Sequence, residues 1–181
     1  MLKFFFMFDT DGDLSRARKL TATDDVKVTA EPPIADYANM IDQSDDEIRF
    51  WIDAQLAATS CLVVLIGQHT ANQRWAKYAI GRARELELPM IGVAIDKLTD
   101  DDGNQGVAGP NPFANAGMSA RTLSALEIYE PPFTTSSFAR AHIRYGLPEW
   151  VEGAIRENRL RRESRVRRHG REAGSERHEA S

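Results

Sequence analysis

Cysteine is almost absent from this chain, and long apolar runs are absent altogether. The single cysteine, Cys61, cannot form a disulfide within the chain, and its apolar neighbours predict a buried thiol in a reducing compartment. No apolar stretch approaches the roughly 18 residues that suggest a membrane span. The apolar start, residues 1–8, lacks the length and cleavage site of a signal peptide. We therefore expect a soluble, cytoplasmic protein without a membrane partner.

The charge of the chain is unevenly distributed. After residue 155 there are nine arginines and five glutamates, so the first 155 residues carry −8 although the whole chain carries only −4. An acidic body makes nucleic acid an unlikely partner, although the basic end could contact an acidic surface. We predict one domain over residues 1–158 and a basic, disordered tail over residues 159–181.

Continuous apolar runs alternate with amphipathic segments along the chain. The apolar runs at residues 2–8, 61–66 and 88–95 are typical of strands buried on both faces, and shorter strands are predicted at 25–29 and 126–129. Their alternation with helices predicts an α/β, flavodoxin-like (TIR-like) three-layer fold with a central parallel sheet of about five strands.

The helices are predicted from capping residues and from the helical spacing of apolar residues. A capping box at Ser44 opens an amphipathic helix that ends near Ala58. Pro148 is expected to begin a last helix, because proline is tolerated in a first helical turn. The other segments predicted here are helices over 14–20 and 70–86 and loops over 31–44 and 99–113.

An acidic run follows the first strand and allows two interpretations. It resembles the first motif of haloacid dehalogenase-type phosphatases, in which Asp9 would be the nucleophile and Asp11 the acid, with magnesium between them. Against this, Asp13 replaces the threonine of that motif, and the later lysine and acidic pair, Lys97 and residues 100–102, would lie too close together. A turn between strand and helix is the plainer interpretation, and no other metal site is predicted.

Eight segments occur in an order that defines a family. They are Lys3–Phe8, Asp13–Ala17, Ile34–Asp36, Ile48–Leu56, Thr59–Gly67, Thr70–Tyr78, Ile91–Asp96 and Gly109–Phe113. Together they resemble the TIR-like domain of the ThsB proteins of Thoeris antiphage defence systems. The resemblance covers about residues 2–113 and depends on the series rather than on a single motif.

The resemblance implies a five-stranded parallel sheet whose strand-end loops enclose a nucleotide pocket. It also implies an enzyme that consumes NAD and forms a cyclic ADP-ribose-like signal, which switches on an NADase-like effector of the ThsA type. We also expect that the chain binds another TIR-like protein or associates with itself. The pocket candidates are Phe8, Asp9, Asp11, Asp36, His69, Trp75, Tyr78 and Ala79.

Some of these candidates also have plainer interpretations. Trp75 lies on a helix face with other apolar residues, so core packing is the stronger interpretation there. His69 follows a predicted strand without a second metal ligand at suitable spacing, and is more often a polar loop residue. Asp36 could contact a ribose, but an exposed carboxylate in a loop needs no special role.

The sequence departs from the family at its catalytic position. The family glutamate is expected four residues after the tryptophan, and this chain has Ala79 there. Glu85 and Glu87 are poor substitutes because they lie further along the helix. The resemblance therefore implies that NAD cleavage is lost or weakened, with no cofactor required and NAD possible as ligand or substrate. The alternative is an active enzyme that uses Asp9 or Asp36.

Overall fold

The computed structural model describes residues 3–21 and 34–175. A short 3₁₀ turn at Thr70–Asn72 lies between the second strand and the fourth helix. The remaining elements, in chain order, are β1 (Phe4–Met7), α1 (Thr10–Thr21), α2 (Ile34–Met40), α3 (Asp45–Ala58), β2 (Cys61–Ile66), α4 (Arg74–Glu85), β3 (Met90–Ala94), α5 (Ala120–Ser124), β4 (Ile128–Tyr129) and α6 (Ser136–Ser175).

The described strands form one parallel sheet in the order β1-β2-β3-β4. Phe4 pairs with Cys61, and Gly92 pairs with Val64 on one side and with Ile128 on the other. Every residue of β1 and β2 is buried, as their unbroken apolar sequences predict. The α/β prediction is confirmed, with four strands instead of about five among the described residues. The strand predicted at residues 25–29 lies outside them.

Helices flank the sheet in two groups. α1 contacts α6, α3 contacts α4, and α6 also packs on β2 and β3. The contact face of α6 consists of small and apolar side chains at four-residue spacing, a repeat that keeps them on one side of a helix. These buried residues are Ala139, Ile143, Leu147 and Val151. The capping box predicted at the start of α3 is present.

α2 corrects the prediction of a loop over residues 31–44. Tyr37 is fully buried: its ring stacks on Trp51 at a centroid distance of 5.6 Å and meets Phe8 edge-on at 5.3 Å. Aromatic contacts of this kind stabilise a helix too short to be stable alone. The helix begins directly after Pro33, so the prolines that suggested irregular chain lie before it.

α6 corrects a second prediction, because it begins at Ser136 and holds Pro148 in its interior. Proline at an interior position removes one helical hydrogen bond, but the buried stripe continues across it from Leu147 to Val151. The helix also runs through the domain boundary predicted at residue 158. Whether residues 159–181 form a separate disordered tail stays a prediction.

Candidate functional site at the carboxyl edge of the sheet

The buried polar residues of the described chain all lie at one edge of the molecule. Because the strands are parallel, the residues that follow β1, β2 and β3 meet at the same edge of the sheet. The set follows those strand ends or lies in the first turns of α1: Asp9, Thr10, Asp13, Arg16, Thr70 and Asp96. Polar groups are costly to bury without partners, so their concentration marks this edge as the candidate site.

Asp13 is the most deeply placed carboxylate of this edge. A Cβ added to Gly67 would lie 1.9 Å from Asp13 Oδ2, so the carboxylate packs directly on the glycine backbone after β2. The Asp13 amide donates a 2.8 Å hydrogen bond to the carbonyl of Asp9. Burial raises the pKa of Asp13, while the hydrogen bond and positive charge of Arg16 oppose that rise. Any side chain at position 67 would therefore require the Asp13 carboxylate to move.

Arg16 connects α1 to the loop that follows β3. Its Nε donates to the carbonyl of Leu98 at 2.9 Å, and its two terminal nitrogens donate to the carbonyls of Gly12 and Asn104 and to Asp13 Oδ1 at 3.0–3.1 Å. One of these nitrogens also lies 3.6 Å from Asp100 Oδ2. Arg16 is 8% exposed, so its guanidinium is largely shielded from water, whereas its partner Asp100 is partly exposed.

The loop after β3 closes over the strand ends. Lys19 Nζ donates to the carbonyls of Thr99 and Asp100 at 2.7 and 2.6 Å, which adds a second link to α1. Further along the loop, a Cβ on Gly109 would lie 1.9 Å from the carbonyl oxygen of Gly67. The loop backbone therefore lies in direct contact with the end of β2, and α1 fixes the loop in that position.

Tyr37 belongs to this site although the sequence analysis did not select it. Its Oη is buried and has no hydrogen-bond partner in the described part of the chain. Burial raises the pKa of Tyr37; the nearby Gln73 side chain lowers it in part, and the charges of Asp9 and Asp11 raise it further. A buried hydroxyl without a partner can bind a polar ligand group or a water. Tyr37 was not selected as a site residue because residues 31–44 were predicted to be a loop, in which a tyrosine is not expected to be buried.

The structure brings several predicted pocket residues together. Phe8 and Asp9 are buried beside Tyr37 and the start of α1. The Asp9 carboxylate accepts a 3.3 Å hydrogen bond from the amide of Asp11, whose own side chain is exposed. His69 is exposed, and its charge is close enough to Asp13 to lower the pKa of that carboxyl group.

Asp36 and the α4 candidates lie differently. Asp36 is exposed at the start of α2. Trp75 is buried, with the Arg74 guanidinium 4.6 Å from its ring centroid. The Tyr78 hydroxyl donates to both carboxylate oxygens of Asp53 at 3.1 Å, so it contacts α3 and not the strand ends. Trp75 is packed in the core and the Tyr78 hydroxyl is paired with Asp53, so neither side chain of α4 is free to bind a ligand at the strand ends.

Ala79 is fully buried on the inner face of α4, together with Ala76, Ile80 and Ala83. The two later glutamates of this region have other partners. Glu85 pairs with Arg82 next to it on α4. Glu87 lies before β3, at the opposite edge of the sheet, and contacts arginines of α6. Neither glutamate can supply the carboxylate that is missing at position 79.

No group of three or more histidine, cysteine or acidic side chains in residues 3–21 and 34–175 could hold a metal ion. In the same residues, no helix is both long and apolar enough to cross a membrane.

These observations define the class of the protein: a parallel α/β domain with helices flanking its sheet and a polar site at the carboxyl ends of the strands. The family model described as "Thoeris protein ThsB, TIR-like domain" matches residues 5–100, just over half of the chain. The chain belongs to this ThsB TIR-like family.

A curated relative is similar over a shorter stretch. Over 74 residues the chain is 39% identical to a candidate cyclic ADP-D-ribose synthase, ThsB1, of Bacillus cereus (strain MSX-D12). The matched stretch covers 41% of this chain and 38% of that protein, so the chain spans well under half of its relative's length.

Proposed function

We propose that this chain is a TIR-like protein of a bacterial defence system that binds a nucleotide or a partner protein and has lost most or all NAD-cleaving activity. The observation that carries the proposal is Ala79. It is fully buried at the position where the family resemblance implies a catalytic glutamate.

The chemistry of NAD cleavage explains why that position matters. Departure of nicotinamide leaves a positively charged, oxocarbenium-like ribose, and a nearby carboxylate stabilises this charge and holds the ribose hydroxyls. The methyl group of Ala79 can do neither.

The carboxyl edge nevertheless retains groups that suit a nucleotide. The Asp9 carboxylate can accept hydrogen bonds from ribose hydroxyls, and the unpartnered Tyr37 hydroxyl can donate to an oxygen of the ligand. The name of the Bacillus cereus relative refers to cyclic ADP-D-ribose. We therefore propose NAD or an ADP-ribose derivative as the ligand.

The alternative function is an active NAD-processing enzyme that makes a cyclic ADP-ribose-like signal. Asp9 is the candidate carboxylate, since it is buried directly after β1 and its charge raises the pKa of the Tyr37 hydroxyl. Asp36 is the weaker candidate, because it is exposed at the start of α2.

Nicotinamide release and ligand affinity separate the two functions. The purified full chain is incubated with NAD while nicotinamide is measured, and NAD and ADP-ribose binding is measured by calorimetry. Asp9→Asn is compared with Asp46→Asn, which changes an almost fully exposed carboxylate on α3. We expect no release, and binding that only Asp9→Asn weakens. Nicotinamide release that Asp9→Asn abolishes would establish the active enzyme instead.

Family membership also leads us to propose a partner within the defence system. An NADase-like effector of the ThsA type or a second TIR-like protein is the expected partner. Size-exclusion chromatography of the chain, alone and mixed with each protein, tests this. A complex with either one supports the proposal, and elution as separate components in both mixtures would contradict it.

A further inference from the structure

A second cavity lies at the opposite edge of the sheet, where β3 begins. Its volume is about 760 Å³, and it is bounded by the end of α4, by α5 and β4, and by α6. Five arginines line it, and we call it the arginine groove: Arg84, Arg121, Arg161, Arg165 and Arg168. None of its lining residues belongs to the buried polar set at the carboxyl edge, so the groove is a separate site.

The floor of the arginine groove is largely apolar. Leu88, Met90 and Leu126 line it together with Ala154. Tyr129 also lines the groove, and its ring stacks on Trp150 at a centroid distance of 4.2 Å. A cavity of this volume with an apolar floor and a few polar groups is typical of small-molecule sites.

The rim of the groove has an excess of positive charge. Three glutamates line the cavity beside the five arginines, which leaves two net positive charges: Glu87, Glu127 and Glu157. Arg165 pairs with Glu87 at 2.9 Å and Arg161 with Glu157 at 3.2 Å. Arg84 donates to the carbonyls of residues 116 and 117.

Arg121 and Arg168 differ from the other three arginines. Neither guanidinium has a carboxylate or carbonyl partner in the described part of the chain, and they border the cavity from different elements, α5 and α6. A guanidinium group binds phosphate through two parallel hydrogen bonds, which makes arginine the preferred residue for such ligands.

We propose that the arginine groove is a binding site for a small organic phosphate, with its phosphate groups between Arg121 and Arg168 and its apolar part on the floor formed by Leu88 and Leu126. The two net positive charges match one or two phosphate groups. A long nucleic acid is not favoured, because the glutamates interrupt the positive surface and residues 1–155 carry −8.

The site is tested with ADP and with inorganic pyrophosphate as probes on the full chain. Calorimetry gives the affinities, and hydrogen exchange locates the protected peptides. We expect ADP to slow exchange in residues 84–91 and 121–129. The Arg121→Gln/Arg168→Gln variant should bind ADP at least about tenfold more weakly, because both phosphate-binding forks are lost. Pyrophosphate should bind more weakly than ADP, since it lacks a part that can cover the apolar floor.

The matched control is Arg18→Gln/Arg167→Gln, which removes the same charge from two exposed arginines that do not line the groove. Its ADP affinity should stay within about twofold, because neither side chain lines the groove and exposed charges are screened by salt. Equal weakening in both double variants, or no exchange protection in residues 84–91 and 121–129, would overturn the proposal. Protection at the carboxyl edge is a separate signal, so failure of the proposed nucleotide function leaves this test unaffected.

Discussion

Replacing Arg16 with methionine should destabilise the protein strongly at neutral pH. Arg16 forms the ion pair with the buried Asp13 and donates to three main-chain carbonyls, two of them in the loop after β3. Methionine keeps much of the side-chain length but offers no donor. The substitution therefore removes the interactions while leaving the packing largely filled.

The magnitude follows from the burial of the pair. The two side chains are only 10% and 6% exposed, so Arg16→Met leaves a buried carboxylate without a cation. Breaking one side of such a pair costs about 3–5 kcal/mol. With a urea m-value of about 2 kcal/mol/M, the unfolding midpoint should fall by roughly 2 M.

Urea unfolding followed by circular dichroism measures this loss, and Arg18→Met is the matched control. Arg18 is exposed on the same helix, so its substitution should change the free energy of unfolding by less than about 0.5 kcal/mol. Hydrogen exchange adds a local readout, because amides of residues 97–106 should exchange faster once Arg16 no longer binds the loop.

The outcome that would refute this reasoning is a loss below about 1 kcal/mol for Arg16→Met, since a surface pair contributes that little. Adding Asp13→Asn to Arg16→Met gives a second check. Because the unpaired buried charge is then removed, the double variant should be more stable than the sum of the single effects predicts. Simple additivity would show that the charge of Asp13 is not the source of the loss.

Three further predictions concern buried groups. Burial raises the folded-state pKa of Asp13 above its ordinary 3.8, so the folded chain binds a proton more readily than the unfolded chain. In urea unfolding, wild type should therefore gain stability relative to Asp13→Asn as the pH falls from about 7 to about 4.5. A stability difference that stays constant with pH would contradict this. Ala79→Glu should lower the free energy of unfolding by at least about 2 kcal/mol, because it forces a carboxyl group into a filled core. An unchanged urea midpoint would instead show that there is open space beside α4. Burial raises the pKa of the Cys61 thiol to about 12. A disulfide reagent near neutral pH should therefore label Cys61 only as fast as the chain unfolds. Rapid labelling of the native protein would instead place the thiol at the surface.

The elements with strong local signals were predicted correctly. β2 is a continuous apolar run, and α3 begins at the capping box of Ser44, where Glu47 and Ser44 exchange hydrogen bonds. α2 and the first turns of α6 were missed because tertiary packing decides them. Tyr37 stabilises α2 through Trp51 and Phe8, and the buried face of α6 outweighs the usual preference of Pro148 for a helix start.

The candidate site was predicted only in part, for a similar reason. The end of β1 follows from topology, which is why Asp9 could be selected from the sequence. The contacts of Arg16 could not be predicted from the sequence, because its loop partners Leu98 and Asn104 lie 82 and 88 residues away along the chain. The close approach of Gly109 to Gly67 is equally invisible in the sequence, since it depends on the fold of the loop.

The length of α6 has a hydrodynamic consequence. Its 40 residues span about 60 Å at 1.5 Å per residue, whereas a compact chain of this size has a radius of gyration of only about 16 Å. The stretch from Ala139 to Val151 packs on the sheet, so only the exposed later turns can extend beyond the body. Such a projection raises the frictional ratio and makes rotational tumbling anisotropic. Molecules of this shape sediment more slowly than their mass alone predicts.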